Sequence, residues 1–183
     1  MEFEEFPKIA RLSRECTITE KIDGTNGCIF IGEDGTFKVG SRTRWLDQTT
    51  GDNHGFMLWA LTNKDELLKL GTGRHFGEWW GSGIQRGYGL QKGEKRFSLF
   101  NTYKWSDALG QRPACCGVVP VIYNGLFHTA ATDAALDQLR VQGSVAAPGF
   151  MQPEGIIIYH HAANLYLKRT LSKDEEWKGK QAA

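Results

Sequence analysis

Glycine sets the grain of this sequence. Its 22 glycines are spread along 183 residues, and between them lie short runs whose apolar residues alternate with polar ones. Frequent turns joining short alternating runs describe a sheet-rich protein. Residues 16–21 alternate as a strand does, and Asp23-Gly24 reads as the turn after it. A second strand is expected over 27–31, a tight turn at Glu33-Asp34-Gly35 and a third strand over 36–39, an antiparallel meander that begins at Lys21. Further strands are expected over 74–80, 96–103 and 118–123, and a last hairpin pairs 155–160 with 164–170. Helical apolar spacing over 56–68, interrupted at Asn63, predicts a helix, and Thr132-Asp133 predicts the capped start of another running to Arg140. Residues 81–93 read as a glycine-rich loop, and the charged tail 172–183 as a helix or a frayed end. The expected class is α+β, with antiparallel sheets dominant and helices flanking them. No repeat or low-complexity linker divides the chain, so residues 1–183 are read as one domain.

Composition narrows the partners. The apolar fraction of 40%, with 10 Phe, 6 Trp and 5 Tyr, supplies a real core. With a net charge of +1, any polynucleotide site is a local patch rather than a property of the whole surface. The first residues are acidic, unlike a secretion signal, and no apolar run is long enough to span a membrane. Cys16, Cys28, Cys115 and Cys116 show no metal-binding spacing and read as reduced cysteines of a cytoplasmic protein. The five histidines show no metal spacing either. The glycine-rich segment 81–89 lacks both dinucleotide and P-loop spacing. Its neighbourhood carries Arg86, Lys92, Lys95 and Arg96, which serve equally well as phosphate contacts or as a solvated basic turn.

One lysine stands apart. Thr19-Glu20-Lys21-Ile22-Asp23-Gly24-Thr25-Asn26 places Lys21 at the end of an alternating run, directly before a turn. A lysine is ordinarily protonated and a poor nucleophile until desolvation or nearby charge exposes its lone pair. Lys-x-Asp-Gly alone is a weak signal. It gains weight from the ordered series behind it: Ser41-Arg42, Phe76-Gly77-Glu78, Phe97-Ser98-Leu99-Phe100, Glu154-Gly155-Ile156-Ile157-Ile158 and Leu167-Lys168. This series resembles the motif set of the covalent nucleotidyltransferases, the superfamily of ATP-dependent ligases and capping enzymes. Within it the chain most resembles the RNA ligases.

The resemblance runs from Glu20 to Lys168 and implies a set of roles. The fold would be a nucleotidyltransferase (ATP-grasp-like) domain. ATP and Mg²⁺ or Mn²⁺ are the implied cofactors, and RNA ends, in a nicked or bridged duplex, the implied partner. Lys21 would attack the α-phosphate of ATP and carry AMP, and Asn26 would assist the sealing steps. Glu20, Arg42, Glu78, Phe100 and Lys168 would join Lys21 in holding the nucleotide: Arg42 on phosphate, Glu78 on the ribose hydroxyls, Phe100 stacked on the purine and Lys168 on the α-phosphate. Glu154 would hold the divalent metal. Arg44 lies close enough in sequence to share the role of Arg42. Two departures stand out: Asn101 follows Phe100 where the family often has Asp, and Tyr166 stands where the last motif has its first lysine. Only residues 169–183 follow that motif, too few for an OB domain.

Other readings share some of these features. A DNA nick ligase carries the same motifs, but residues 19–26 and the Phe-Gly-Glu-Trp-Trp segment look more like RNA ligases. A capping guanylyltransferase would bring an OB domain. A non-catalytic binding module would explain Tyr166 but not the retention of Lys21, Glu78, Glu154 and Lys168.

Overall fold

The computed structural model describes residues 2–106 and 112–172. Two mainly antiparallel sheets, both threaded by the first half of the chain, hold it together. One has four strands, in the order β7 (Val121–Leu126), β1 (Glu15–Lys21), β8 (Gly155–His160), β9 (Leu165–Thr170). The other has five, in the order β3 (Phe37–Gly40), β2 (Thr25–Ile31), β4 (Gly73–Gly81), β5 (Lys95–Leu99), β6 (Cys116–Val118). Among the described residues, only β5 and β6 pair in parallel.

Each sheet buries one face on helix. In the four-stranded sheet, Cys16, Ile18, Ile156 and Ile158 pack against Ala131, Ala135, Leu136 and Leu139 of α3 (Thr129–Gln142). In the five-stranded sheet, Ile29, Ile31, Trp79, Phe97 and Leu99 pack against Phe56 and Ala60 of α1 (Phe56–Thr62) and Leu67 of α2 (Lys64–Leu67). Period-2 alternation then turns the intervening residues of both sheets to their other faces.

Four sequence expectations change. The meander over the first three strands does not form: β1 belongs to one sheet and the β2–β3 hairpin to the other. The chain changes sheets at Gly24, where an added Cβ would lie 2.4 Å from the Trp79 carbonyl oxygen and 2.8 Å from Trp80 Cβ. Gly24→Ala should therefore destabilise the protein by about 1–3 kcal/mol, as small-to-large changes at tight contacts do. Urea unfolding measures this, and an unchanged midpoint would mean that the crossing has room to spare. The expected strand over 118–123 is two strands in different sheets. Pro120 lacks an N–H, while its carbonyl accepts from Glu20 N (2.9 Å) and Val119 N donates to Leu99 O (3.1 Å), so each side bonds to a different sheet. The strand expected over 96–103 stops at Leu99. Lys104 N donates to Asn101 Oδ1 there (2.9 Å), and the chain turns. The second helix begins at Thr129 rather than at Thr132, because His128 is its cap and Nδ1 accepts from Ala131 N (3.1 Å).

The remaining elements agree. Asn63 separates α1 from α2, with its side-chain amide donating to Trp59 O (2.8 Å). The last hairpin forms with Ile157 opposite Lys168. The charged tail from residue 173 lies outside the described residues. The four cysteines are free, and burial pushes each thiol's pKa up. Among the described residues, no helix is long and apolar enough to cross a membrane.

Candidate active site

Lys21 is the last residue of β1 and sits opposite Gly155, the first residue of β8. That register brings Glu154 to the lysine: Nζ lies 2.5 Å from Oε2, with both side chains about four-fifths buried. On the same face, Thr19 lies opposite Ile157, which lies opposite Lys168 of β9. Lys168 thus shares the Lys21 face, two strands away, and its side chain is exposed. Tyr166 also shares this face. It stacks on Tyr159 with ring centroids 4.6 Å apart and places an aromatic surface where the resemblance led to a lysine. Arg169 does not fill that gap: it points to the α3 face, where Nη1 donates to Asp133 Oδ1 (2.6 Å) and Thr132 Oγ1 (3.0 Å).

The five-stranded sheet supplies the second half of the site. Asn26 of β2 and Glu78 of β4 are directly opposite. Asn26 Nδ2 donates to Glu78 Oε2 (2.8 Å), and Gly24 N donates to Oε1 (3.1 Å). Glu78 is thereby tied to the turn that follows Lys21. It is 8% exposed, and burial pushes its carboxyl up to about 7; the hydrogen bonds and the Lys21 charge oppose that rise, and Glu154 adds to it. A carboxyl raised from 4.5 to about 7 binds a proton more readily in the folded chain than in the unfolded one. Its contribution to stability is full below about pH 4.5 and is lost as pH rises through about 7. Glu78→Gln removes this dependence. The stability difference between the two proteins should move against the wild type by up to about 3 kcal/mol as pH rises through that window. Urea unfolding across the window checks it, and a flat difference would mean an ordinary carboxyl.

Phe97 and Phe100 separate cleanly. Phe97 is fully buried in the α1 core. Phe100 is half-buried and packs against the cluster of Ile22, Trp80, Tyr88 and Val119 beneath the lysine turn. Of the two, Phe100 is the ring left partly exposed. Trp79 and Trp80 are core residues, although they serve different clusters. Arg42 sits in the exposed turn after β3, where Ser41 N donates to Arg44 O (2.8 Å), and makes no hydrogen bond among the described residues. Arg44 is tied down by a bond to Thr50 O (2.8 Å), which leaves Arg42 the freer of the two.

Glu20 is corrected. It was expected at the nucleotide, but alternation turns its carboxylate to the face opposite Lys21. There it is 1% exposed and accepts from Ser144 Oγ (2.6 Å), Val145 N (2.8 Å) and Ala146 N (2.9 Å). Glu20 is a clamp that fixes the loop after α3. The clamping loop has no sequence signal, being more than 120 residues away. Two further supports were also missed: Asp23 N donates to Tyr88 Oη (2.8 Å), and Arg86 joins Asp23 Oδ2 (2.9 Å) to Gln152 O (3.0 Å). Arg86 is thus a strut of the lysine turn rather than a free phosphate contact, and Lys95 is likewise held by His54 O (2.7 Å).

Among the described residues, no three His, Cys, Asp or Glu side chains gather into a metal cage. The single Glu154 carboxylate beside Lys21 fits a hard cation that takes its other ligands from phosphate oxygens and water, which is how Mg²⁺ and Mn²⁺ are held. A groove of about 380 Å³ opens farther along the five-stranded sheet, between Trp80, Ser98, Gly117 and Ala146, and does not include Lys21 or Glu154.

The sequence profile of the family described as RNA ligase matches residues 14–173. This chain belongs to the RNA ligase family. The match takes in every strand of both sheets and every residue placed in the site above. A search of curated proteins finds no relative. Solved structures of the RNA ligase of Naegleria gruberi share the fold. An arginine-to-alanine variant with ATP and Mn has a TM-score of 0.65 at 21% identity, covering 88% of this chain and 51% of that one. A lysine-to-methionine variant with AMP and Mn gives 0.64 at 21% identity, covering 87% and 50%. The form with pyrophosphate gives 0.62 at 18%, covering 86% and 50%. This RNA ligase family member therefore spans about half the length of the structures it matches.

Proposed function

We propose that residues 1–183 form an ATP-grasp-like adenylyltransferase domain of a cytoplasmic ATP-dependent RNA ligase. It would join a 3′-hydroxyl to a 5′-phosphate within a nicked or bridged duplex. The observation that carries this reading is the meeting of the Lys21–Glu154 pair, at 2.5 Å, with the Asn26–Glu78 pair of the second sheet through the turn at Gly24.

Each residue then has a task. Phe100 offers its half-buried ring to the adenine, and Glu78, preorganised by Gly24 and Asn26, accepts from the ribose hydroxyls. Lys21 Nζ attacks the α-phosphorus of ATP: an N–P bond forms, the bond to the bridging oxygen breaks, and pyrophosphate leaves. Glu154 Oε2 is the nearest acceptor for the proton that Nζ sheds. Glu154 is also the residue that would hold Mg²⁺ or Mn²⁺, whose charge would neutralise the phosphates. Lys168 and Arg42 steady phosphate oxygens through the in-line displacement. AMP then passes from Lys21 to the RNA 5′-phosphate, giving a 5′–5′ pyrophosphate-linked intermediate. The 3′-hydroxyl, positioned near Asn26, displaces AMP and seals the strand. Positioning and charge neutralisation carry all three steps.

A sealing assay tests the reading. With ATP and a divalent metal, a nicked duplex whose broken strand is RNA should be sealed and the all-DNA nick should not. Equal sealing of both would make this a general nick ligase, and sealing of neither would leave a binding module.

A further inference from the structure

The face of the five-stranded sheet that carries Asn26 and Glu78 continues past them. Alternation places Arg74 and Phe76 on that face of β4, Phe30 on that of β2 and Lys38 on that of β3. The register sets Phe30 opposite both Arg74 and Lys38. Trp45 closes over the end of β3, in a bridge with Gly40, and its ring meets Phe30 at 5.9 Å. The opposite face of this sheet is sealed on α1, but here the rings are open: Phe76 is 52% exposed and Trp45 39%. Two cations rest on them. Arg74 Cζ lies 5.2 Å from the Phe30 centroid and Lys38 Nζ 5.8 Å from that of Trp45. Neither forms an ion pair with a described carboxylate.

We propose that this surface holds the RNA strand as it enters the cleft, with a base stacked on Phe76 and phosphates met by Arg74 and Lys38. The inference rests on the ligase reading and adds to it a location for the polynucleotide. Exposed rings interleaved with unpaired cations suit a single-stranded polyanion, since bases stack on the rings while the charges track the backbone. Position supports the choice. Phe76 lies two residues before Glu78 on one strand face, about 7 Å along it, so a strand on this surface leads directly to the nucleotide.

The test uses Phe76→Ala, the double variant Arg74→Gln with Lys38→Gln, and Phe76→Trp as the conservative variant. Tyr103→Ala, an exposed aromatic outside the surface, is the control. AMP attachment to Lys21, which needs no RNA, should stay within about twofold of wild type in all four. Affinity for a labelled single-stranded 5′-phosphate RNA should fall roughly tenfold or more in Phe76→Ala, return in Phe76→Trp and be unchanged in Tyr103→Ala. The double variant should lower the slope of log affinity against log salt by about 1–1.5. A wild type that takes AMP and binds RNA, beside variants that bind equally well, would overturn the surface and leave the ligase reading standing. Unchanged RNA affinity with loss of a self-associated form would assign the face to a second copy of the chain, which also overturns the proposal. A wild type that takes no AMP would refute the ligase reading itself.

Discussion

Lys21→Ala should seal 5′-phosphate RNA at least ~1000-fold more slowly than wild type, because it removes the amine that the proposed mechanism uses to carry AMP. The variant should still seal RNA supplied with AMP already on its 5′-phosphate, at a reduced rate. That substrate enters after the step assigned to Lys21 in the proposal and would need only the nucleotide pocket and the phosphate contacts. The pair of assays separates a nucleophile from a residue that merely shapes the site, since a shaping residue would slow both. The Lys21–Glu154 pair is about four-fifths buried, and removing one partner leaves the other charge unpaired, so the variant should also lose up to about 3 kcal/mol of stability. Retained sealing of 5′-phosphate RNA would remove Lys21 from the chemistry.

Glu154→Ala should be nearly as damaging and differ in kind. It leaves Lys21 without its 2.5 Å partner and removes the carboxylate that the proposed mechanism uses to hold a cation. AMP transfer should fall by ~100-fold or more, and the divalent metal concentration giving half-maximal rate should rise at least roughly tenfold. Glu154→Asp should recover part of the rate, as it keeps the charge but shortens the reach. Rates of AMP transfer across a Mg²⁺ titration measure both effects. A fall in rate with no change in metal dependence would make Glu154 a proton acceptor and orienter of Lys21 only.

The sequence showed the strands but not which sheet each joins. Period-2 alternation reports which faces are buried, and it reads the same for β1, β2 and β3 although β1 pairs with β7 and β8. The deciding feature was the close approach of Gly24 to Trp79, a contact between residues 55 positions apart. Pro120 illustrates the same limit from the other side. It was legible as a residue without an N–H, but a proline between two apolar pairs does not say that the chain changes sheets there. The motif series names residues that the fold brings near one another: Lys21 pairs with Glu154, Asn26 with Glu78, and Lys168 shares the Lys21 face. Glu20 belonged to the same motif and was misread, since one step along a strand turns a side chain to the opposite face. What supports the site was hidden altogether. Ser144 beneath Glu20 and Arg86 beneath Asp23 carry no pattern of their own. The raised carboxyl of Glu78 also depends on burial that only the folded chain creates.

Intact-protein mass after incubation with ATP and Mg²⁺ or Mn²⁺ tests covalent AMP transfer most directly. The protein is first treated with pyrophosphate, which reverses any transfer already made, and GTP is run alongside. The expected result is a gain equal to one AMP from ATP and none from GTP, with the adduct mapping to the peptide that contains Lys21. No gain from ATP, or an adduct on another residue, would contradict the account.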